Sequence, residues 1–376
     1  MECVNDRPAL MKGVKLMVVK IGTSSITDSR LALSASKIDG LVDEVAALVK
    51  KRVSVILVSS GAIGAGMGKL GLKRRPRDIN KLQAMASIGQ NELMKCYGKS
   101  FKRHGIEIAQ ILLTQEDFRD RRRYLNVRNT VQALLELKIV PIINENDTIG
   151  VEEIRVGDND TLSSIVASNL GADALVMLSS VDGLYTRDPE REKNAEKISI
   201  VWKINTDIDK LSGKASGGGV GSIQTKVKAA KMATKSGVPV ILASASESHV
   251  LQRIIAGEDV GTIFMPSKCF DSRLHWILYQ AATKGCIRVD DGAVDALRSG
   301  KASLLPSGII GVEGEFRKGD ILCIQDANGI EFARGISNYC RSDVEKIKGR
   351  QSSEIEELLG KKSYKEVVYS DNMALR

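Results

Sequence analysis

Histidine and aromatic residues are scarce in this chain. Three histidines, His104, His249 and His275, occur in 376 residues, so chemistry that needs an imidazole has few places to sit. Aromatics make up 4%, which leaves Val, Ile, Leu and Ala to fill the core. No long uncharged apolar run occurs, so the pattern excludes a transmembrane helix. The opening Met1-Glu-Cys-Val-Asn-Asp-Arg-Pro8 lacks the pattern of a secretory leader. The six cysteines, at 3, 96, 269, 286, 323 and 340, include no Cys-x-x-Cys pair. They read as reduced thiols of a cytoplasmic protein, with no zinc site and no disulfide framework. The remaining composition, 43% hydrophobic and 27% charged, suits a globular chain long enough for two domains.

Positive charge is unevenly placed. From Lys284 onward there are 15 basic and 15 acidic residues, so the whole net charge of +9 lies before that point. A positive field on the N-terminal part attracts a polyanion such as a nucleotide or a nucleic acid.

Residues 1–13 read as a loose tail. Apolar runs at 14–21, 53–58, 107–113, 140–143, 174–178 and 238–243 read as strands, and the segments 33–51, 80–103 and 121–137 as helices. This alternation implies an α/β fold with a mostly parallel sheet sandwiched by helices. Near residue 266 the texture changes. A short helical stretch at 274–283 leads into strands punctuated by Gly292, Gly300, Gly308, Gly311, Gly314, Gly319, Gly329 and Gly335, the pattern of a small β-barrel. The expected domains are 14–266 and 284–370.

Four loops carry chemistry. Lys20-Ile-Gly22-Thr-Ser-Ser25 ends a buried strand with a lysine able to reach phosphate oxygens. Ser59-Ser60-Gly61-Ala62-Ile63-Gly64 reads as a glycine loop that a ligand can approach closely. Within its continuation, Gly66-Met-Gly68-Lys-Leu-Gly71 fits a dinucleotide fingerprint, but it does not follow its strand directly, so the match is set aside. The third is Asn144-Glu-Asn-Asp147 at a strand end, followed by Gly157-Asp158-Asn159-Asp160-Thr161 before a helical run. Asn or Asp there reads as a helix N-cap, and a helix start attracts anions. Carboxylates for an ammonium beside a helix start for an anion suit an amino acid. The fourth is Ser216-Gly-Gly-Gly-Val-Gly-Ser-Ile-Gln-Thr-Lys226, either a phosphate-binding entry to a helix or a flexible linker. No histidine falls in these loops. A carboxylate acceptor, with a pKa of ~4.3, is already ionised and needs no general base, whereas a hydroxyl usually does.

Together these motifs resemble the amino acid kinase family, in its glutamate-phosphorylating branch. The resemblance runs from Val14 to about Gly349. It is carried by Val18-Val-Lys-Ile-Gly-Thr-Ser24, Val58-Ser-Ser-Gly-Ala-Ile-Gly-Ala-Gly66, Gln110-Ile-Leu-Leu-Thr114, Arg123-Tyr-Leu-Asn126, Pro141-Ile-Ile-Asn-Glu-Asn-Asp147, Val156-Gly-Asp-Asn-Asp160 and Gly183-Leu-Tyr-Thr-Arg-Asp-Pro189. Beyond Lys284, Val289-Asp-Asp-Gly-Ala293, Ser303-Leu-Leu-Pro-Ser-Gly-Ile309, Gly314-Glu-Phe-Arg-Lys-Gly-Asp320 and Ala333-Arg-Gly-Ile-Ser-Asn-Tyr339 resemble a PUA domain.

The resemblance implies ATP-dependent phosphorylation of the glutamate γ-carboxylate, at the start of proline biosynthesis. It assigns Lys20, Lys226 and Asp160 to catalysis, and Ser60, Gly61, Asn144, Asp147 and Asn159 to glutamate, with Asp147 facing the ammonium. It assigns Lys20, Ser179, Ser180, Val220, Gly221, Ser222, Ile223, Gln224, Thr225 and Lys226 to ATP. Mg²⁺ is implied as a partner of ATP, with no metal site on the protein. A dimer or tetramer inhibited by proline is implied as well. Two departures fall on the nucleotide side: Gly219-Val-Gly-Ser-Ile223 replaces the family's Gly-Thr-Gly-Gly-Met, and Ser179-Ser180 replaces Thr-Asp. The alternatives are a related kinase acting on aspartate or N-acetylglutamate, and an RNA-binding or RNA-modifying protein acting through the PUA domain. The neutral charge beyond Lys284 argues against RNA.

Overall fold

Six short, mostly aliphatic runs build the centre of the N-terminal half: Leu16–Ile21 (β1), Ser54–Ser59 (β2), Ile108–Leu113 (β3), Val140–Glu145 (β4), Ala174–Ser179 (β5) and, after three two-residue strands at Leu184–Tyr185 (β6), Lys197–Ile198 (β7) and Ile200–Val201 (β8), Val240–Ser244 (β9). Thr262–Phe264 (β10) completes them. The structure, a computed structural model, describes residues 7–28, 32–72, 74–149, 159–189, 192, 194–206, 208, 211, 223–266, 277–278, 282–299, 302–360 and 364–375. The chain divides into two units, Met1–Asp117 with Leu125–Cys269, and Phe118–Tyr124 with Phe270–Arg376.

In the first unit the sheet order is β3-β4-β2-β1-β5-β9-β10-β8. The first six of these strands are mutually parallel, β10 runs antiparallel to β9, and β8 is parallel to β10. Every residue of β4, β5 and β9 is buried, as a parallel sheet covered on both faces requires. The helices from residue 7 to 255 are Arg7–Lys12 (α1), Ala35–Lys50 (α2), Ala62–Lys69 (α3), Ile79–Lys102 (α4), Gln115–Arg119 (α5), Arg121–Glu136 (α6), Asn159–Leu170 (α7), Ile223–Lys235 (α8) and Val250–Ile255 (α9), with the stretch 118–124 of α5 and α6 assigned to the second unit. Met17, Val19, Leu57 and Val176 form one core with Val42 and Val45 of α2, Tyr97 and Phe101 of α4 and Leu251 of α9. Alternation along β1 sends Val18 and Lys20 to the opposite face, where α7 packs against β1 and β5.

Three expectations change. Residues 7–12 are a helix, not a loose tail: Met11 is 2% exposed and Arg7 pairs with Asp259 at 3.1 Å, so burial and charge hold the segment. The run after Ser60 is not a glycine loop but helix α3, begun at Gly61 with φ of 103°. Its glycines serve helix packing. A Cβ on Gly66 would stand 2.0 Å from the Met85 carbonyl oxygen, and one on Gly89 would stand 1.7 Å from that of Ala62. Finally, Asn159 and Asp160 do not cap α7 but sit in its first described turn, and Asp158, the remaining cap candidate, lies outside the described residues. Nor is α7 amphipathic: Asp160 to Asn169 are all buried. Small residues allow this, and the Ser164 hydroxyl donates to the Ala229 carbonyl of α8 at 2.8 Å.

The second unit carries Gly285–Val289 (β11), Ile309–Gly314 (β12), Ile321–Gln325 (β13), Glu331–Ile336 (β14) and Met373–Leu375 (β15). These form a mixed five-stranded sheet, β12-β11-β13-β14-β15, with bulges at Arg288/Val289 and Ile324/Gln325. Asp291–Arg298 (α10), Arg341–Ile347 (α11) and Ile355–Leu359 (α12) join it around a separate core that includes Ile287, Leu297, Ile324, Phe332 and Val344. The helix expected at 274–283 lies almost wholly outside the described residues.

Candidate active site

The carboxyl ends of β1, β2, β4 and β5 open at one edge of the sheet, the usual location of ligands in open α/β folds. Lys20 reaches this edge from β1 and Lys226 from the first turn of α8. Between them lies Asp160 of α7, fully buried. Lys20 Nζ stands 2.5 Å from Asp160 Oδ1, and Lys226 Nζ 3.3 Å from Oδ2. The lysines are 5% and 3% exposed. Thr225 donates its hydroxyl to Oδ2 at 2.7 Å. Burial pushes the Asp160 carboxyl up, but Lys20 and Lys226 together outweigh it and hold the group below the usual carboxylate range. Burial pulls the Lys226 ammonium down, with Asp160 opposing. Two cations sharing one anion leave a net positive charge in a dry setting, where it acts strongly on an arriving anion.

On the β2–β4 side an amide network lines the wall. Asn159 Nδ2 donates to Ser60 Oγ and to Asn144 Oδ1, each at 3.0 Å. Asn144 Nδ2 donates to Gln90 Oε1 at 2.8 Å. Gly61 needs its left-handed backbone, and a Cβ there would also stand 2.9 Å from the Ile26 Cδ1. A cleft of about 330 Å³ lies alongside, bounded by Ala62, Gln90, Gln110, Glu145, Asn146 and Asp147. Burial raises the Asp147 carboxyl to about 6, against the pull of Arg75.

Ser179 ends β5, in register with Ser244 of β9, and Ser180 follows it. They border a different cleft of about 630 Å³, shared with Ser24, Ser25 and Lys37. Ile223, Gln224 and Thr225 form the first turn of α8, with Gln224 exposed. Val220, Gly221 and Ser222, with Gly157 and Asp158, lie outside the described residues. The structure therefore gathers Lys20, Lys226, Asp160 and Thr225 in one group and Ser60, Asn144 and Asn159 in another joined to Gln90. Asp147 borders the cleft beside the second group. Gln90 was absent from the sequence reading; the glycine before it, inside a helical run, was the available signal.

The chain belongs to the amino acid kinase family, which it matches over residues 15–244. Residues 285–359 match the PUA domain. Curated relatives narrow the class further. Glutamate 5-kinase of Dictyoglomus turgidum is 48% identical over 367 residues, covering 97% of this chain and 98% of that protein. Glutamate 5-kinase of Caldanaerobacter subterraneus is 46% identical over 361 residues, 96% of this chain and 97% of the relative. That of Carboxydothermus hydrogenoformans is 45% identical, with 97% and 99% covered.

Proposed function

We infer that this protein is an ATP-dependent kinase of the L-glutamate γ-carboxylate, forming L-glutamyl 5-phosphate, the first intermediate of proline biosynthesis. The likeness to glutamate 5-kinases across nearly the whole chain supports this reading. It disfavours aspartate, N-acetylglutamate and RNA as alternatives. The observation that carries the chemistry is the buried Lys20–Asp160–Lys226 group at the strand ends.

A γ-carboxylate oxygen attacks the terminal phosphorus of ATP, and the bond to the bridging oxygen breaks to release ADP. No proton has to move, since the acceptor is already ionised at neutral pH. Lys20 and Lys226 neutralise the charge on the transferring phosphoryl group, which is where catalysis of this reaction mainly lies. Asp160 fixes both ammonium groups before substrates arrive. Ser60, Gly61, Asn144 and Asn159 hold the acceptor in the cleft, and Asp147 receives its ammonium. Ser179, Ser180 and the entry to α8 face the nucleotide.

Mg²⁺ enters with ATP in this reading. Among the described residues no group of three His, Cys, Asp or Glu side chains is placed to cage a metal, and Asp160 is engaged by its lysines. When bound, the ion screens the phosphate oxygens. The catalytic domain is placed at 14–266 and the PUA domain at 284–370. A cytoplasmic homo-oligomer, dimer or tetramer, with proline as inhibitor completes the proposal. No described helix is long and apolar enough to cross a membrane.

The test is hydroxylamine trapping of the acyl phosphate with ATP and Mg²⁺, offering glutamate, aspartate and N-acetylglutamate in turn. Hydroxamate should form from glutamate alone. Lys20→Met and Lys226→Met should each reduce it by about 10³-fold or more. Hydroxamate from neither glutamate nor its analogues would overturn the proposal.

A further inference from the structure

We propose that Gln90 is a positioning residue for the amino-acid substrate, acting through Asn144 on Asn159. This rests on the glutamate reading above. The Glu145 N–H lies 2.9 Å from a terminal atom of the Asn144 amide. A backbone N–H can only donate, so that atom is the oxygen. The other end of Asn144 is therefore the NH₂ group, and its neighbour on Gln90, 2.8 Å away, must be an oxygen. Asn159 meets the same Asn144 oxygen at 3.0 Å, so it presents its NH₂ group there and to Ser60 Oγ. One N–H thus sets the orientation of three side-chain amides in series.

The series ends in two atoms, Asn159 Oδ1 and Gln90 Nε2, that are buried with no hydrogen-bond partner among the described residues. Native structures keep few such groups, because each carries a desolvation penalty. Gln90 is 8% exposed and borders the cleft. An unbranched apolar side chain of the same length would fill its place on α4 without the unpaired donor, so packing does not account for a glutamine here. Its carbonyl does something an apolar chain cannot. It accepts from Asn144 and holds that amide from the side opposite Glu145. Asn144 in turn keeps the Asn159 NH₂ group pointed inward, leaving the Asn159 oxygen as the free end. Gln90 therefore bears on the acceptor half of the site, while Lys20, Lys226 and Asp160 share no hydrogen bond with the relay among the described contacts.

The experiment uses the full-length protein and the hydroxamate assay with glutamate, ATP and Mg²⁺. Gln90→Met should raise the KM for glutamate about tenfold, the worth of one lost polar contact. The KM for ATP should stay within about twofold, because the nucleotide side is untouched. The melting temperature should move little, since Met removes one unpaired donor at Gln90 and creates one at Asn144. Gln90→Asn keeps an amide but withdraws it by one methylene, and should give the same rise in KM even if the Met variant folds poorly. The decisive arm is the Asn159→Ala background. If Gln90 acts through Asn159, adding Gln90→Met there should change the glutamate KM less than about twofold. An unchanged glutamate KM in both single variants would overturn the proposal. So would the full tenfold effect persisting in the Asn159→Ala background, which would mean a route that avoids Asn159. A wild-type protein that forms no glutamyl hydroxamate would instead overturn the glutamate reading, and the role of Gln90 with it.

Discussion

Gly89→Ala tests whether the contact between α3 and α4 sets the geometry of the acceptor cleft. The added Cβ would stand 1.7 Å from the Ala62 carbonyl oxygen and 2.4 Å from the Gly66 nitrogen. Ordinary contact needs about 3.3 Å, so α3 has to retreat from α4 by roughly 1.5 Å. The obstacles are backbone atoms on two turns of α3, which no rotamer change can relieve. Overpacking of this kind destabilises by about 3 kcal/mol, at the upper end of the usual range. For a domain of this size that lowers the melting temperature by roughly 6–12 °C. The functional effect is larger, because Gly61 caps α3 and Ala62, its first residue, forms part of the cleft wall. A shift of about 1 Å in such a wall lowers kcat/KM about 100-fold. Thermal unfolding and glutamate-dependent hydroxamate formation are the assays. Gly40→Ala is the control: Gly40 lies inside α2 with nothing within 4 Å of its added Cβ, and should stabilise by about 1 kcal/mol. A Gly89→Ala protein with the wild-type melting temperature and wild-type kcat/KM would refute the reasoning.

Two more outcomes follow from the charges. Asp160→Asn strands two buried ammonium groups and should destabilise by about 3–5 kcal/mol, with hydroxamate formation falling at least as far as for either lysine variant. Because the Asp160 carboxyl is depressed in the folded state, its contribution is present above the unfolded carboxylate pKa and is lost as pH falls through the folded one; chemical denaturation against pH should show that acid-side loss shrinking in the variant. Asp147 has the opposite sign. Its folded value of about 6 lies above the ordinary 3.8, so ionising it opposes folding, and its stabilising effect is complete below the unfolded value and gone above about 6. In the role proposed for it, Asp147 receives the glutamate ammonium in its ionised form, so kcat/KM should fall below pH of about 6, and this limb should vanish in Asp147→Asn. A limb that persists unchanged would remove Asp147 from that role.

The sheet was readable because β1, β2, β4, β5 and β9 are near-continuous aliphatic runs, which periodicity detects without knowing what they pack against. Helix α3 was not, because Gly61, Gly64, Gly66 and Gly68 are poor helix formers. Their helical state comes from the close approach of α4, a tertiary effect that overrides local preference. The two-residue strands β6, β7 and β8 are too short for any pattern. In the site, strand ends and amide clusters could be located, but the meeting of Lys20, Asp160 and Lys226, from three separate elements, was suggested only by resemblance. Gln90 escaped because a buried polar residue in a helix looks the same in sequence as an exposed one.

The position of β1 has a consequence for engineering. The strands on its β2 side, β2, β4 and β3, and the helices α3 and α4 come from the continuous stretch 54–145, and that stretch carries most of the cleft wall. Lys20, Lys226 and Asp160 all lie outside it. Of the residues proposed to hold the acceptor, Ser60, Gly61 and Asn144 lie inside the stretch, Asp147 follows its end by two positions, and Asn159 comes from α7. Grafting that stretch, extended to Asp147, from a relative with a different carboxylate substrate would exchange most of the cleft wall while the host's Asn159, Lys20, Asp160, Lys226 and α8 entry stayed in place.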